Sequence, residues 1–519
     1  MAIDADDFLS QRFKVLNPNC SLLLSSASAA VLLLAGCAVG PDFERPSPPA
    51  TTSYTAQPLP ASTASGSAEI AGSAAQRFNA GMDITEQWWT LFESDSLNAL
   101  VALALEANPD LEAAEAALNQ VRENYLAANG ALFPTAGINS GAQRQQAPQT
   151  INTRLNNSLL NLYNVSVDVS YGLDVFGGAR RAIEATGAQV DNQRFQLEAT
   201  YLTLIANVLT SAIQEATLTA QIEAVEEIIA IQAQALDLMT QQFELGAAAR
   251  GDVLAQQSQL NQTQANVLEF QKQLAQVRTQ LTILLGRYPA DNAPLGVTLL
   301  DLNLPQELPL SLPSELVNQR PDVRIAEALL HQASANIGVA TANMLPQFML
   351  SGNYGTNSTS IPGTAALFGT GTTGWSLGAG MAAPIFQGRQ LSRQRQAALY
   401  GFEVAEAQYR STVLAAFANV ADVLNALRFD AESLRAQEVT ADTAAQSLEI
   451  TTERFQAGAI AYLPLLDAQR TYQQARVSLV QSQGARFADT VALFQALGGG
   501  WWNRQEIVTA TRPNPFPIP

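Results

Sequence analysis

The chain has 519 residues, 47% hydrophobic and 14% charged, which is enough for several domains. Its 46 acidic against 28 basic side chains leave a net charge of -18, which argues against a nucleic-acid partner because a phosphate backbone rewards clustered Lys and Arg. Two cysteines and one histidine offer little for a disulfide framework or a metal cluster.

Residues 1–36 read as an export signal, with Arg12 and Lys14 ahead of an apolar stretch from Leu22 to Leu34; Asp4, Asp6 and Asp7 before the basic pair are unusual. The stretch ends in Leu34-Ala35-Gly36-Cys37, small residues leading into a cysteine, and it resembles a bacterial lipobox in which Cys37 carries the lipid. The alternative is a plain signal peptide with an incidental Cys. Cys20 falls inside the removed part, so no disulfide is expected. Pro, Ser, Thr and Ala dominate through about residue 80, which suits an extended tether rather than a core. No later run of roughly 18 consecutive apolar residues occurs, so any membrane span is expected to be β-type.

A helix is expected over 109–130, started by Pro109 in its first turn. Strands follow at 135–146 and 162–175. In the second of these Val165, Val167, Val169, Tyr171, Leu173 and Val175 alternate with Asn164, Ser166, Asp168, Ser170, Gly172 and Asp174, giving one greasy and one polar face. From Ala179 to Leu245 there is no proline and Gly187 is the only glycine, so a rod of roughly 100 Å is possible. Leu218, Ile222, Val225, Ile229, Leu236, Met239 and Phe243 keep the spacing of a coiled-coil seam. After a break at Gly246–Gly251, Val253, Leu260, Val267, Leu274 and Leu281 mark a return helix, so Gly246 to Asp252 is the tip of a long helical hairpin.

The plan then repeats 212 residues on: Pro109-Asp110 as Pro321-Asp322, Pro134 as Pro346, Gly246 as Gly458, and Gly286 as Gly498. The second copy is a helix over 321–344, strands at about 347–355 and 374–386, a rod from Arg389 to Ala457, a tip at Gly458–Pro464, and a return helix from Leu465 to Leu497. Arg486 breaks the apolar seam of that last helix. The expected organisation is a signal (1–36), a lipid-anchored tether (37–85), a first repeat (86–290), a Pro-rich linker (291–315), a second repeat (316–498) and a tail (499–519).

Alternation alone suits a soluble sheet with one wet face as well as a membrane wall. A lipid anchor, a small or polar inner face and aromatics such as Tyr171 and Trp375 on the other face favour the membrane. Four strands cannot close a transmembrane barrel, which begins at about eight. Three chains supply twelve strands and room for a water-filled lumen, so a homotrimer is expected.

Cys37 through Phe43, Trp88-Trp89 with Phe92, Arg320-Pro321-Asp322-Val323, Tyr409-Arg410 with Val413-Leu414 and Phe417, and Leu465-Leu466-Asp467-Ala468-Gln469-Arg470 occur in one order along the chain. In these stretches the sequence resembles the TolC-like outer-membrane factor family, in its lipoprotein branch of efflux outer-membrane subunits (OprM/NodT type). The resemblance implies a mainly α fold with a membrane β-barrel, twelve strands in the trimer above a long α-helical periplasmic tunnel. It implies a passive exit duct, fed by a periplasmic membrane-fusion adaptor and an inner-membrane pump of RND type, and no catalysis.

The family closes its periplasmic end with rings of aspartates. Here Asp467 keeps one carboxylate and Pro464 replaces the other. Asp467 is thus either part of a cation-attracting gate or an exposed helix-start residue near a positive dipole end. Asp252, in the equivalent turn of the first half, reads as a helix N-cap for Val253 onward. Gly246 and Gly458 serve the turns and, by the resemblance, form the adaptor-contact tips together with Asp252 and Pro464.

Gly369–Gly374 matches a dinucleotide fingerprint but precedes a strand, so it reads as a loop. His331 has no Cys or His beside it and no nucleophile with a partnered base is legible, so neither cofactor nor active site is expected. The rival reading is a coiled-coil periplasmic lipoprotein, a scaffold or adaptor without a pore.

Overall fold

A computed structural model describes residues 38–146, 159–291, 296–358 and 372–504. The signal segment with Cys37, most of the loop 147–161, residues 359–371 and the tail beyond 504 lie outside these ranges. The described chain runs β1 (Arg77–Ala80), α1 (Asp95–Ala107), α2 (Pro109–Asn129), β2 (Thr135–Gln146), β3 (Leu159–Leu173), α3 (Gly178–Glu244) and α4 (Arg250–Leu284). It continues through β4 (Glu307–Leu310), α5 (Pro313–Gln319), α6 (Pro321–Ala342), β5 (Gln347–Ser358), β6 (Thr373–Ala382), α7 (Gln390–Gln456) and α8 (Tyr462–Ala496).

The duplication is kept in the backbone. Rods α3 and α7 each have 67 residues and return helices α4 and α8 each have 35, with starts and ends at the spacing the sequence shows. Two compact units result: one gathers residues up to 45, 120–190 and 328–407, the other 46–119, 191–327 and 408 onward. Helices α2, α3, α6 and α7 contribute residues to both.

In the first unit β2, β3, β5 and β6 form one antiparallel sheet in chain order. β3 ends at Leu173, before Val175, because the Asp174 carboxylate turns to accept the backbone N–H groups of Ala179 and Arg180, both at 3.0 Å, and so starts α3. β6 stops at Ala382, short of the expected 386; Pro384 has no N–H for a ladder, and Ile385 and Phe386 are exposed beyond the strand.

The second unit holds the main core, where Trp88 stacks on Phe494 at 4.9 Å among Phe92, Leu209, Leu424 and Phe487. Helix ends meet there. Asn108 Oδ1 accepts the N–H groups of Asp110 and Leu111 at 2.9 and 3.2 Å, capping α2, while its Nδ2 donates to the Leu284 carbonyl at the end of α4 at 2.9 Å. In the second half Arg320 binds Asp322 at 2.7 Å and donates to the Ala496 carbonyl of α8 at 2.7 Å. Return helix and short helix are thus joined end to end in both halves.

One stretch of α7 meets the length and composition of a membrane helix, with mean hydropathy 1.3, contrary to the expectation of no such helix; 28% of it is buried. Buried Tyr409, Val413, Ala416, Val420, Leu424, Leu427 and Ala431 recur at three- and four-residue steps, the pattern of a helix with one face packed on protein.

The tether and the linker are not loose connectors. β1 pairs in parallel with β4, and the Thr63 and Gly66 N–H groups donate to the Gln76 and Ser73 carbonyls at 2.9 and 3.0 Å. Arg486, the apparent defect in the α8 seam, is 1% exposed. It donates to the carbonyls of Leu427, Gly72 and Ala74 and to Thr63 Oγ1 at 2.9 to 3.4 Å. A segment without helical period satisfies its backbone on neighbours instead, and the buried guanidinium supplies five donors for it. The tail is also packed as far as it is described, with Trp501 Nε1 donating to the Gln319 carbonyl at 2.6 Å.

Candidate channel wall and helical tips

Pairing register decides what each face of the sheet carries, since side chains alternate along every strand. One face aligns Ile138, Val167, Tyr354 and Trp375 in one row and Ala136, Val169, Gly352 and Leu377 in the next. Trp375 and Leu377 are 73% and 80% exposed, an apolar display that water does not favour. The opposite face aligns Gly137, Asp168, Asn353 and Ser376, with Asn139, Ser166, Gly355 and Gly374 beside them. β2 and β6 each pair on one side only among the described strands. The sheet is therefore an open segment of wall with a greasy side, a polar side and two free edges.

Cys37, the expected lipid carrier, lies outside the described residues, but the segment right behind it is held firmly. Arg181 binds Asp42 at 2.6 Å, Glu184 at 2.7 Å and the Val39 carbonyl at 3.2 Å, with its side chain 6% exposed. Phe43 stacks on His331 at 4.4 Å, and His331 Nε2 meets Glu184 Oε1 at 3.0 Å. Gly40, at φ +99°, approaches the backbone of Gly338 so closely that a Cβ would collide. The sole histidine is thus one member of a clamp on residues 39–43. Sequence reasoning missed this clamp, because it joins three stretches of chain that lie 139 and 147 residues apart.

At the tips the two halves close with the same hydrogen bonds. Gly246, at φ +76°, donates to Phe243 O at 2.9 Å and Ala247 donates to Gln242 O at 2.7 Å; Gly458, at φ +69°, and Ala459 repeat this onto Phe455 and Arg454, both at 2.9 Å. Left-handed glycines end each rod and let the chain reverse. The copies differ in packing, for Phe243 is 42% exposed whereas Phe455 is buried against Tyr462.

Two expectations change here. α4 starts at Arg250 with Ala249 as its cap residue, so Asp252 sits inside the first turn and is not the N-cap. α8 starts at Tyr462, which puts exposed Pro464 in its first turn and exposed Asp467 in the second, beyond the reach of the helix-end dipole.

Between the two hairpins the Tyr462 hydroxyl donates to Gln256 Oε1 at 2.5 Å and Arg470 Nε donates to Gln259 Oε1 at 2.7 Å, while within the first hairpin Gln256 Nε2 donates to the Gln232 carbonyl at 2.8 Å. Burial pushes the Tyr462 phenol up to about 12, with Arg470 lowering it and Asp252 raising it. Asp252 and the second tip are therefore electrostatic neighbours. Tyr462, Gln256 and Gln259 went unread because a buried Gln in a heptad has no sequence signature. No cluster of metal-ligating side chains occurs among the described residues.

A family model described as outer membrane efflux protein matches residues 100–287 and 312–499, one stretch for each half of the duplication. The chain belongs to this family. The probable efflux pump outer membrane protein TtgC of Pseudomonas putida is 28% identical over 485 residues, 93% of this chain and 96% of TtgC. The solved outer-membrane channel OprN superposes with a TM-score of 0.80 at 25% identity, over 90% of this chain and 100% of that one. The open state of the Neisseria gonorrhoeae channel MtrE gives 0.75 at 25% identity, over 89% and 98%. As an outer membrane efflux protein the chain has the TolC-like fold, belongs in the outer membrane and serves as an efflux channel there.

Proposed function

We propose that three copies close the wall, edge β2 of one chain against edge β6 of the next, into a twelve-stranded barrel with the greasy face toward lipid and the polar face toward water. The observation that carries this is the four-stranded sheet with two unpaired edges and an exposed apolar face. The long helical hairpins line a periplasmic tunnel, and their tips, with Gly246, Asp252, Gly458 and Pro464, receive a membrane-fusion adaptor bound to an inner-membrane pump of RND type. The pump does the work, and the duct itself catalyses nothing. Asp467 faces the narrow mouth as one carboxylate of three. Cys37 carries the lipid, which mass spectrometry of the mature N-terminus tests with Cys37→Ala as control.

Purified protein in planar bilayers is the decisive experiment. Discrete, reproducible conductance steps are expected; their absence with correctly folded protein would return the chain to the scaffold reading.

A further inference from the structure

The four described strands carry two charged side chains, Arg144 and Asp168, and the alternation places them on opposite faces. Asp168 is alone on the polar face. Around it the face is Gly, Ser and Asn, so no other charged side chain of the described strands shares that face.

Its carboxylate is also built in. Asn139 Nδ2 on β2 donates to Oδ2 at 2.6 Å, Ser166 Oγ on β3 donates to the same oxygen at 2.9 Å, and Asn353 Nδ2 on β5 donates to Oδ1. An ionised carboxylate accepts at both oxygens and donates nothing, which is the partner three donors require. The donors are neutral, so they fix the position of the charge without cancelling it. Among the described residues no basic side chain pairs with Asp168. A structural role alone, tying three strands, would be served by a neutral acceptor.

We infer that Asp168 is the charge-selecting residue of the barrel section, presenting small cations with a ring of three fixed carboxylates while anions are repelled. This rests on the trimeric channel reading above, which turns the polar face inward. It adds to Asp467 a second ring in a different part of the molecule. A carboxylate about 10 Å from a passing ion in water enriches cations and depletes anions by roughly twofold each. Three of them give an expected K⁺ over Cl⁻ preference of at least about fivefold in dilute salt, where the Debye length is about 30 Å.

The test is the zero-current potential of single channels in a KCl gradient, for the full chain and for Asp168→Asn, Asp467→Asn and Ser376→Asp. Ser376 lies in the same pairing row as Asp168, two strands away on the same polar face, so Ser376→Asp adds a carboxylate to that face without removing any of the three donors to Asp168. Asp168→Asn is expected to lower the K⁺ preference at least about fivefold with steps still present, and Ser376→Asp to raise it. A preference unchanged in either variant overturns the assignment while leaving the channel intact. If Asp168→Asn fails to assemble, Ser376→Asp decides alone. An unmodified protein that shows no steps overturns the channel reading and this assignment with it.

Discussion

Asn108 and Arg320 hold the same joint in the two halves of the chain. Each binds the start of a short helix, Asn108 through the Asp110 and Leu111 amides and Arg320 through the Asp322 carboxylate, and each donates to the end of a return helix, at Leu284 and Ala496. One role survives an exchange of amide for guanidinium because both side chains reach a terminal carbonyl that the helix itself leaves unpaired.

Asn108→Ala is expected to cost about 1 kcal/mol at the α2 start and to leave the Leu284 carbonyl without this donor. Hydrogen exchange at the Asp110 and Leu111 amides reads the loss, with roughly fivefold faster exchange expected. Asn108→Asp keeps the cap and loses the donor, so it should protect those amides nearly as well as the parent. Faster exchange in both would refute the capping role.

Tyr462→Phe removes one buried hydrogen bond and leaves Gln256 Oε1 without its donor, which is expected to destabilise the tips by about 1–3 kcal/mol. Faster exchange should be confined to the two hairpin ends, and the joint at Asn108 should be unaffected. Uniform loss of protection along the rods would contradict a local tie.

Periodic residues were the readable ones. Val165 to Leu173 and the seam through Leu218, Ile222, Val225 and Met239 fixed strands and rods to within a few residues, because burial on one face imposes a period on sequence. Both return helices began earlier than expected. The first four N–H groups of a helix have no intrahelical partner, so Pro464 forfeits no helix hydrogen bond there and exposed Gly251 costs only about 1 kcal/mol. The packing of residues 54–80 was illegible, since an extended segment that borrows partners from elsewhere leaves no period; Arg486 showed as an anomaly, but its acceptors are more than 50 residues away.

Arg486→Met is expected to free the segment 63–74, because the Gly72 and Ala74 carbonyls lose their donor while the α8 seam gains an apolar residue. Limited proteolysis should cut within that segment in the variant and not in the parent. A resistant variant would show that β1 pairing alone holds the tether.

Burial and then Asp430 push the Asp489 carboxyl up to about 8, against the pull of Arg486, whose own guanidinium burial lowers to about 10. The unfolded carboxyl ionises at about 4, so between about pH 4 and 8 the native chain holds a proton that the unfolded chain has lost. The contribution of this carboxyl to stability is therefore full below about pH 4 and is lost as pH rises to about 8. Asp489→Asn should melt near the parent value in acid and above it in alkali. An equal slope in both proteins would contradict the placement of this proton.

The mass of the detergent-solubilised protein, by light scattering with the detergent contribution subtracted, tests the central claim most directly. Three chains per particle are expected. A stable particle of one chain, with β2 and β6 sealed against each other, would contradict the shared wall and the exit channel built on it.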